Sequence, residues 1–461
     1  MYNVGVCEVN FMKTIAAIST PMGHGGIGIV RVSGDDALNI INKVFVPKTK
    51  GQIKPYSLKF GNIVDESRKV LDQVLISFFK APKTYTGEDI CEVNCHGGLI
   101  VTKQILDLLL RNGASLAEPG EFTKRAFLNG KIDLTQAEAV IDLINSKSSK
   151  ENSVSLKQLE GFLGERINDI KKDIIDLLVD IEANIDYPEY DIEEVRREKI
   201  VGVLENSIEK IERLESTFES GKILREGVNT AIIGKPNVGK SSLLNALLRE
   251  NRAIVTEIAG TTRDTIEEYV TIKGIPLKLI DTAGIRDTED VVEHIGIEKS
   301  KKAIEEAELV LLLLDATSEV SEEDKALIDM VQNKNHIMLI NKIDAGNKIS
   351  KESFEGGNVV EISIKNGIGL NVLEDKIEEI FNIAKLETED NLMITNSRHQ
   401  SLILNAKNGI KNALNSVNMG IPLDMISIDI QEAIQRLGEI TGEAVSEEVI
   451  NGIFAKFCLG K

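Results

Sequence analysis

Gly234-Lys235-Pro236-Asn237-Val238-Gly239-Lys240-Ser241 is the stretch that decides the fold around it. It follows the apolar run 231–233 and precedes the helix-like segment 242–248. A glycine-bounded loop between a strand and a helix is the setting of a phosphate-binding loop, whose backbone N–H groups hold phosphate oxygens. In such a loop we expect Lys240 to reach the β- and γ-phosphates and Ser241 to bind Mg²⁺. The stretch therefore predicts a nucleotide-binding loop.

Three further segments follow in the order that a guanine-nucleotide domain requires. Asp281-Thr282-Ala283-Gly284 comes after an apolar run, so its aspartate can hold the Mg²⁺ shell and its glycine amide can meet a γ-phosphate. Asn341-Lys342-Ile343-Asp344 ends another such run, and the Asp344 carboxylate can accept two hydrogen bonds from guanine that adenine does not offer. Ser363-Ile364-Lys365 can supply a backbone N–H to guanine O6. Together these segments predict a guanine-nucleotide domain.

Composition limits the other possibilities. The 461 residues predict two or three domains, and 42% hydrophobic with 28% charged residues is typical of a soluble globular protein. The net charge of −19 argues against RNA binding through one broad basic surface, although local basic patches stay possible. No apolar run approaches the roughly 20 residues needed to span a bilayer, and four cysteines without a framework fit a reducing cytosol. We expect a cytoplasmic protein that uses no membrane.

The chain divides into regimes of different periodicity. Residues 1–11, before Met12, are expected to be an extension, and 12–118 mix short strands and helices into an α+β domain. Long apolar stripes at three- and four-residue spacing predict an all-α domain made of 119–225 and 384–461. The α/β Ras-like G domain, 226–383, is then inserted between its halves. Two separate helical domains are the alternative. The first stripe contains Leu156, Leu159, Leu163, Ile167, Ile170, Ile174, Leu177 and Ile181.

Hydrolysis by this domain poses a chemical problem. Ile285 stands where Ras-like GTPases carry the glutamine that orients the attacking water, and isoleucine cannot hydrogen-bond water. Arg263 and Arg286 are candidates for a stabilising cation, or they are merely solvated. The side chain of Asn237 and the backbone carbonyls of 256–264 could instead coordinate a monovalent cation beside the phosphates. The simpler alternative is a slow switch GTPase.

The chain resembles the MnmE (TrmE) family of tRNA-modification GTPases over residues 12–461. The marks of the resemblance are the phosphate loop, Ala259 to Asp264, Asp281 to Arg286, Val292 to Glu298, Tyr85 to Asp89, Pro119 to Phe127 and the terminal Phe457-Cys458-Leu459-Gly460-Lys461. The resemblance implies a K⁺-stimulated GTPase whose G domains pair across a homodimer. The nucleotide-binding residues expected from the motifs are Asn237, Val238, Gly239, Lys240, Ser241, Ser242, Thr256, Glu257, Ile258, Ala259, Gly260, Thr261, Thr262, Asp281, Thr282, Ala283, Gly284, Asn341, Lys342, Ile343, Asp344, Ser363, Ile364 and Lys365.

The resemblance also implies roles for single residues. Glu293 would be the catalytic residue that positions the water. The N-terminal domain would bind a tetrahydrofolate one-carbon donor, with Cys458 beside it as either a structural or a catalytic cysteine. The implied ligands are Asn237, Thr256, Ile258 and Thr261 for K⁺, Ser241 and Thr262 for Mg²⁺, and Arg31, Glu88, Lys131 and Lys461 for folate.

The implied activity needs partners. With the FAD-dependent protein MnmG (GidA), in a heterotetramer-type complex, the GTPase would install an aminomethyl or carboxymethylaminomethyl group at C5 of the tRNA wobble uridine. The tRNA would be contacted largely through that partner. Two alternatives are a ribosome-assembly GTPase switch, which usually carries a basic RNA-binding module, and a dynamin-like GTPase assembling on membranes.

Cys91-Glu92-Val93-Asn94-Cys95-His96 invites a metal interpretation. In a strand, however, Cys91 and Cys95 lie on one face and His96 on the other, so the three ligands do not converge. A buried strand face is the favoured interpretation.

Overall fold

The computed structural model describes residues 13–186, 197–251, 268–280, 295–349, 351, 354, 358–381 and 393–461. The chain divides into two compact units. The first contains the described residues up to Ile141 together with Thr441–Lys461, and the second contains those between Asp142 and Ile440. These units cut the chain at positions other than 118, 225 and 383, and the predicted domain boundaries stay predictions.

The elements are numbered in chain order. The strands are β1 (Ile15–Ile18), β2 (Gly25–Ser33), β3 (Phe45–Pro47), β4 (Ser57–Val64), β5 (Val70–Phe79), β6 (Ile90–Gly97), β7 (Ser115–Leu116), β8 (Val228–Ile233), β9 (Glu268–Ile272), β10 (Ile275–Leu279), β11 (Leu309–Asp315), β12 (His336–Asn341) and β13 (Val359–Glu361). The helices are α1 (Ala37–Val44), α2 (Leu99–Arg111), α3 (Glu121–Leu128), α4 (Leu134–Asn145), α5 (Ser149–Leu159), α6 (Phe162–Asp186), α7 (Arg197–Glu215), α8 (Phe218–Glu226), α9 (Lys240–Asn251), α10 (Ile295–Glu306), α11 (Glu322–Val331), α12 (Leu370–Phe381), α13 (Ser397–Asn418), α14 (Leu423–Thr441) and α15 (Glu447–Phe454).

In the described part of the first unit, seven strands form one sheet in the order β3-β4-β5-β6-β2-β1-β7. Neighbouring strands are antiparallel except β1 and β7. Helices α1 and α2 contribute apolar side chains to the same core as the inward-facing residues of the sheet. The α+β interpretation of this region is therefore confirmed.

Strand β6 shows the predicted alternation of faces. Cys91, Val93 and Cys95 are buried, whereas His96 is exposed and its Nδ1 lies 2.6 Å from Asp72 Oδ1. Burial raises the pKa of Cys91 to about 12 and that of Cys95 to about 11, so both thiols stay protonated at neutral pH. The prediction of a buried strand face is confirmed.

The helical part of the second unit has one apolar core built from segments on both sides of the G domain. Helices α6 and α7 precede that domain and α13 and α14 follow it. Burying all four stripes together removes far more apolar surface from water than either half does alone, which explains why the discontinuous segments combine. The shared core includes Leu163, Ile167, Ile170, Ile174, Leu177, Ile181, Ile200, Leu204, Ile211, Ile403, Ala406, Ile410, Ala413, Ile426, Ile430, Leu437 and Ile440.

The G domain is a parallel sheet with one antiparallel edge. Its strand order is β13-β12-β11-β8-β10-β9, and only the β9–β10 pair is antiparallel among the described strands. Strand β11 is buried along Leu309–Leu314 because helices cover both faces of such a sheet. The carboxyl ends of β8, β11 and β12 lie at one edge, which is where ligands bind in open α/β sheets. This is the predicted Ras-like α/β domain.

Among the described residues, no helix combines the length and the apolar character required to cross a bilayer.

Candidate nucleotide-binding site

The phosphate loop connects β8 to α9 through backbone conformations that favour glycine. Gly234 has φ 144°, Asn237 has φ 62° and Gly239 has φ 111°. A Cβ atom on Gly234 would lie 2.5 Å from the Leu313 carbonyl oxygen, and one on Gly239 would lie 2.4 Å from Asn341 Nδ2. Both glycines are required because the neighbouring strands approach the loop too closely for any side chain.

Lys240 lies at the start of α9 with its amine folded into the loop. Its Nζ donates hydrogen bonds to the carbonyl oxygens of Gly234 and Lys235, each at 2.7 Å. Burial lowers the pKa of Lys240, because the charged amine has lost part of its hydration. An anionic group at this position would restore that lost stabilisation. Ser241 and the exposed Ser242 follow in the first turn of the same helix.

Asn341, at the end of β12, joins the phosphate loop to the loop that follows β13. Its Nδ2 donates to the Val238 carbonyl oxygen at 2.8 Å, and its Oδ1 accepts from the Ile364 backbone N–H at 3.3 Å. The side chain is buried, so both bonds are shielded from water. Asn341 therefore fixes the two loops relative to each other.

Lys342 connects three strands at the same edge. Its backbone has φ 67°, and its Nζ donates to the Asn237 carbonyl oxygen and to Asp315 Oδ2, both at 2.7 Å. Burial raises the pKa of Asp315, but hydrogen bonds from Lys342 and Thr317 outweigh it and bring that pKa below its usual range. Asp315 was not among the predicted residues, although its place directly after the apolar run 309–314 is a signal of this edge.

Asp344 is exposed and oriented by the neighbouring loop. The Ser363 hydroxyl donates to Asp344 Oδ1 at 2.6 Å, and this bond lowers the pKa of the carboxyl. Ser363 also caps the short 3₁₀ helix Ile364–Asn366 by accepting from the Asn366 N–H. Ile343 and Lys365 lie next to these residues in sequence. The structure thus brings the phosphate loop, 341–344 and 363–365 together at one edge.

A second pair of residues supports the phosphate loop from outside. Lys235 Nζ lies 2.6 Å from Asp324 Oδ2 and donates to Ser321 Oγ at 3.0 Å. Asp324 is buried at the start of α11, where it forms a capping box with Ser321. Sequence analysis missed both Lys235 and Asp324, because nothing in the local pattern links a loop lysine to a distant helix cap.

Several predicted site residues lie outside the described residues. These are Thr256, Glu257, Ile258, Ala259, Gly260, Thr261, Thr262, Asp281, Thr282, Ala283, Gly284 and Glu293.

In the first unit, two of the predicted folate-binding residues lie close together. Burial lowers the pKa of Lys461, and the positive charge of Arg31 lowers it further. Arg31 Nε donates to Glu92 Oε1 at 2.9 Å, and its guanidinium lies 5.7 Å from the centre of the Phe122 ring. Arg31 and Lys461 therefore bring two cationic side chains to a partly buried place that also holds the Glu92 carboxylate.

The C-terminal residues reach this region because they pack onto β1. Gly460 has φ 87°, and a Cβ atom there would lie 2.2 Å from the Ile18 carbonyl oxygen. The Cys458 carbonyl accepts from the Gly120 N–H at 3.4 Å, and the residue is half-buried.

Glu88 and Lys131 are held by other partners. Both carboxylate oxygens of Glu88 accept from Arg125 Nη1, at 3.0 and 3.1 Å, and Ser33 Oγ donates to Oε2 at 2.7 Å. Lys131 Nζ donates to the Pro82 carbonyl oxygen at 3.0 Å. Arg125 is buried and was not predicted, although it belongs to the conspicuous run 119–127.

Comparison with known proteins covers nearly the whole chain. The family model for the GTP-binding protein TrmE N-terminus matches residues 14–131, and that for the MnmE helical domain matches 134–458. The tRNA modification GTPase MnmE of Thermoanaerobacter pseudethanolicus is 52% identical over 97% of this chain and 99% of its own length. The protein of that name from Lactococcus lactis subsp. cremoris (strain SK11) is 51% identical over 97% of this chain and 98% of its own.

Likeness to solved structures is weaker. Era of Aquifex aeolicus, bound to GDP.AlF4-, is 31% identical over 39% of this chain and 65% of its own, with a TM-score of 0.25 that is too low to support an argument. The model for the helical domain and the half-identical relatives each cover most of the sequence. Together they show that the chain belongs to the MnmE family of tRNA modification GTPases.

Proposed function

We propose that this GTPase is stimulated by K⁺ and, together with the flavoprotein MnmG (GidA), installs an aminomethyl or carboxymethylaminomethyl group at C5 of the tRNA wobble uridine. The proposal assigns the one-carbon unit to a tetrahydrofolate derivative and the working form to a homodimer in the cytoplasm. The observation that supports the GTP-binding part of the proposal is the joining of the phosphate loop to 341–344 through Asn341 and Lys342.

GTP would bind across this edge. Lys240 would exchange its two carbonyl partners for phosphate oxygens, which are stronger acceptors for a partly desolvated amine. Asp344, held by Ser363, would accept the N1–H and N2–H₂ of guanine. The remaining nucleotide contacts are those proposed for 256–262, 281–284 and 363–365.

Among the described residues, Ser241 and Asn237 suit the two proposed cations. Ser241 ends the phosphate loop and lies in the first turn of α9, where its hydroxyl would be a Mg²⁺ ligand with Thr262. Asn237 is exposed inside the loop, so its side-chain oxygen is accessible as a K⁺ ligand. The other proposed K⁺ ligands, Thr256, Ile258 and Thr261, lie outside the described residues. Bound K⁺ supplies positive charge for the transition state of phosphoryl transfer. Glu293 would then orient the attacking water in place of the missing glutamine.

The first unit fits an anionic donor. Arg31 and Lys461 would bind the folate carboxylates, since the lowered pKa of Lys461 reflects burial next to another cation. Glu88 would accept hydrogen bonds from the pterin, with Arg125 holding its carboxylate, and Lys131 would lie at the margin. Cys458 is proposed to contribute to this site, either chemically or by position.

The proposal is tested by GTP turnover of the purified chain in KCl and in NaCl at matched ionic strength. We expect a strong dependence on K⁺ that is lost in Asn237→Ala and kept in Asn245→Ala, a control at an exposed asparagine on α9. Equal, slow turnover of the parent in both salts would contradict the proposal and favour a ribosome-assembly switch.

A further inference from the structure

One segment of the first unit has a charge balance opposite to that of the chain. Residues 48–83 contain eight Lys or Arg and three Asp or Glu, whereas the chain as a whole has a net charge of −19. The segment runs from the end of β3 to the turn after β5. This local excess of positive charge distinguishes the segment from the rest of the chain. The acidic remainder repels anions, whereas this segment attracts them.

The fold gathers these lysines at one end of the sheet. Tyr56 Oη donates to the carbonyl oxygens of Lys80 and Lys83, at 2.9 and 3.2 Å, which joins the loop after β3 to the turn after β5. Lys59 Nζ donates to the Lys50 carbonyl oxygen at 3.1 Å and ties β4 to the same loop. We call Lys48, Lys50, Lys54, Lys59, Lys80 and Lys83 the basic strip.

Most of the strip is free of internal neutralisation. Lys48, Lys50, Lys54 and Lys83 are exposed. Within the described residues, Lys80 is the member with a carboxylate partner, since its Nζ lies 2.7 Å from Asp89 Oδ2. The hydrogen bond from Lys80 to Asp89 raises the pKa of that lysine. The strip therefore presents several positive charges to solvent.

Exposed rings lie among the lysines. Tyr56 is 57% exposed and Phe60 is 45% exposed, and both belong to the segment that carries the strip. Lysines interspersed with accessible aromatic rings suit a ligand that offers phosphates and flat bases. A solvated charged face requires no such rings, and a dry protein interface would be depleted of lysine.

We infer that the basic strip binds the phosphate backbone of the RNA substrate. The family modifies tRNA, so an RNA of high negative charge must approach a chain whose net charge is −19. The strip provides the region where that repulsion is reversed. Direct contact from this chain goes beyond the expectation that the tRNA is contacted largely through the partner protein, and it rests on the proposed function, in which tRNA is the substrate.

The test measures binding of purified tRNA to the full chain by fluorescence anisotropy over a series of KCl concentrations. The variant Lys50→Glu/Lys54→Glu/Lys83→Glu is compared with Lys103→Glu/Lys172→Glu/Lys301→Glu, a matched control at exposed lysines outside the strip. We expect the strip variant to bind at least about tenfold more weakly at ~0.1 M salt. Its slope of log affinity against log salt should fall by about two, since each lost phosphate contact removes about 0.7 to 0.9.

A neutral variant guards against misfolding. Lys50→Gln/Lys54→Gln/Lys83→Gln should give a smaller loss in the same direction while GTP turnover stays at the parental rate. No measurable tRNA binding by the parent at ~0.05 M salt would overturn the inference. Equal weakening in the strip variant and the control would overturn it as well, because total charge rather than this surface would then be responsible.

Discussion

Ser363 and Asp344 form a 2.6 Å hydrogen bond in which the serine hydroxyl donates to the carboxylate that faces the expected guanine. The bond restricts the carboxylate to one orientation and lowers its pKa, so the group stays charged to a lower pH than a free aspartate. Because the acceptor is ionised, this bond is of the stronger class.

Ser363→Ala should therefore weaken GTP binding by about tenfold, as expected when a hydrogen bond to a charged group is lost. On acidification, the variant should also begin to lose affinity at a higher pH than the parent, because the pKa of Asp344 is no longer held down. Titration of a fluorescent GTP analogue over a pH series measures both effects. Ser427→Ala, on the distant α14, is the control. Unchanged affinity in Ser363→Ala would mean that the hydroxyl does not orient Asp344.

Arg125 should be a major contributor to the stability of the first unit. Its buried guanidinium pairs with Glu88 and Glu121, and it also donates to the Lys13 carbonyl oxygen at 2.9 Å. Arg125→Met leaves both carboxylates without their cation, which typically costs about 3–5 kcal/mol. Urea unfolding followed by circular dichroism should show this loss.

Arg111→Met, at an exposed arginine, is the control for Arg125 and should change stability little. The double variant Arg125→Met/Glu88→Gln should lose less than the sum of its single variants, because each single change leaves the other group unpaired. Strict additivity would contradict the coupling of Arg125 to Glu88.

Glu151 should make stability depend on pH. Burial raises its pKa to about 7, while its backbone N–H bonds Ser148 and its carboxylate accepts from the Lys147 N–H at 2.6 Å. A raised pKa means that folding binds a proton. The contribution of this proton to the free energy of unfolding is complete below the unfolded pKa of about 4.5. It is lost as the pH rises through about 7.

Glu151→Gln should remove that dependence, since glutamine keeps the acceptor without the charge. Relative to the parent, the variant should gain about 3 kcal/mol between pH 5 and 8, an order-of-magnitude figure from the shift in pKa. Unfolding free energies across this range test it, with the exposed Glu160→Gln as control. A parent whose stability is flat from pH 5 to 8 would contradict the buried, protonated carboxyl.

Lys235 should position the phosphate loop. Lys235→Met breaks the 2.6 Å ion pair with the buried Asp324. Residue 235 is then no longer anchored to α11, although its backbone carbonyl accepts a hydrogen bond from Lys240. We expect GTP affinity to fall about tenfold or more, with most of it restored in Lys235→Arg because arginine keeps the charge-assisted bond. Lys325→Met, at an exposed lysine next to Asp324 on α11, should leave GTP affinity unchanged. A parental affinity in Lys235→Met would show that the pair is structural only.

Local patterns in the sequence predicted the phosphate loop and the segments 341–344 and 363–365, because each depends on residues adjacent in the chain. The first helical stripe was placed less well. Leu156 is 45% exposed, since α5 ends at Leu159 and Gly161, with φ 97°, turns the chain before α6 begins. The apolar spacing continues across the turn at Gly161, so periodicity alone does not show that the helix ends there.

Pairings between distant residues could not be predicted from one sequence. Two ion pairs, Arg125–Glu88 and Lys235–Asp324, depend on the tertiary arrangement. The spacing of charged residues along the sequence does not indicate a partner on another element. The approach of the C-terminal residues to β1 likewise depends on the positive φ of Gly460, which the sequence shows only as a glycine near the end.

We expect Asp344 to select guanine at the edge formed by the phosphate loop and 341–344. Turnover of GTP and of xanthosine triphosphate by Asp344→Asn tests it most directly, because xanthine presents an acceptor where guanine presents the 2-amino group. Asp344→Asn should lose at least about 100-fold in kcat/KM for GTP, a loss typical of unpaired polar groups at a specificity site. It should gain turnover of the xanthine nucleotide. A variant that still prefers GTP would contradict the account.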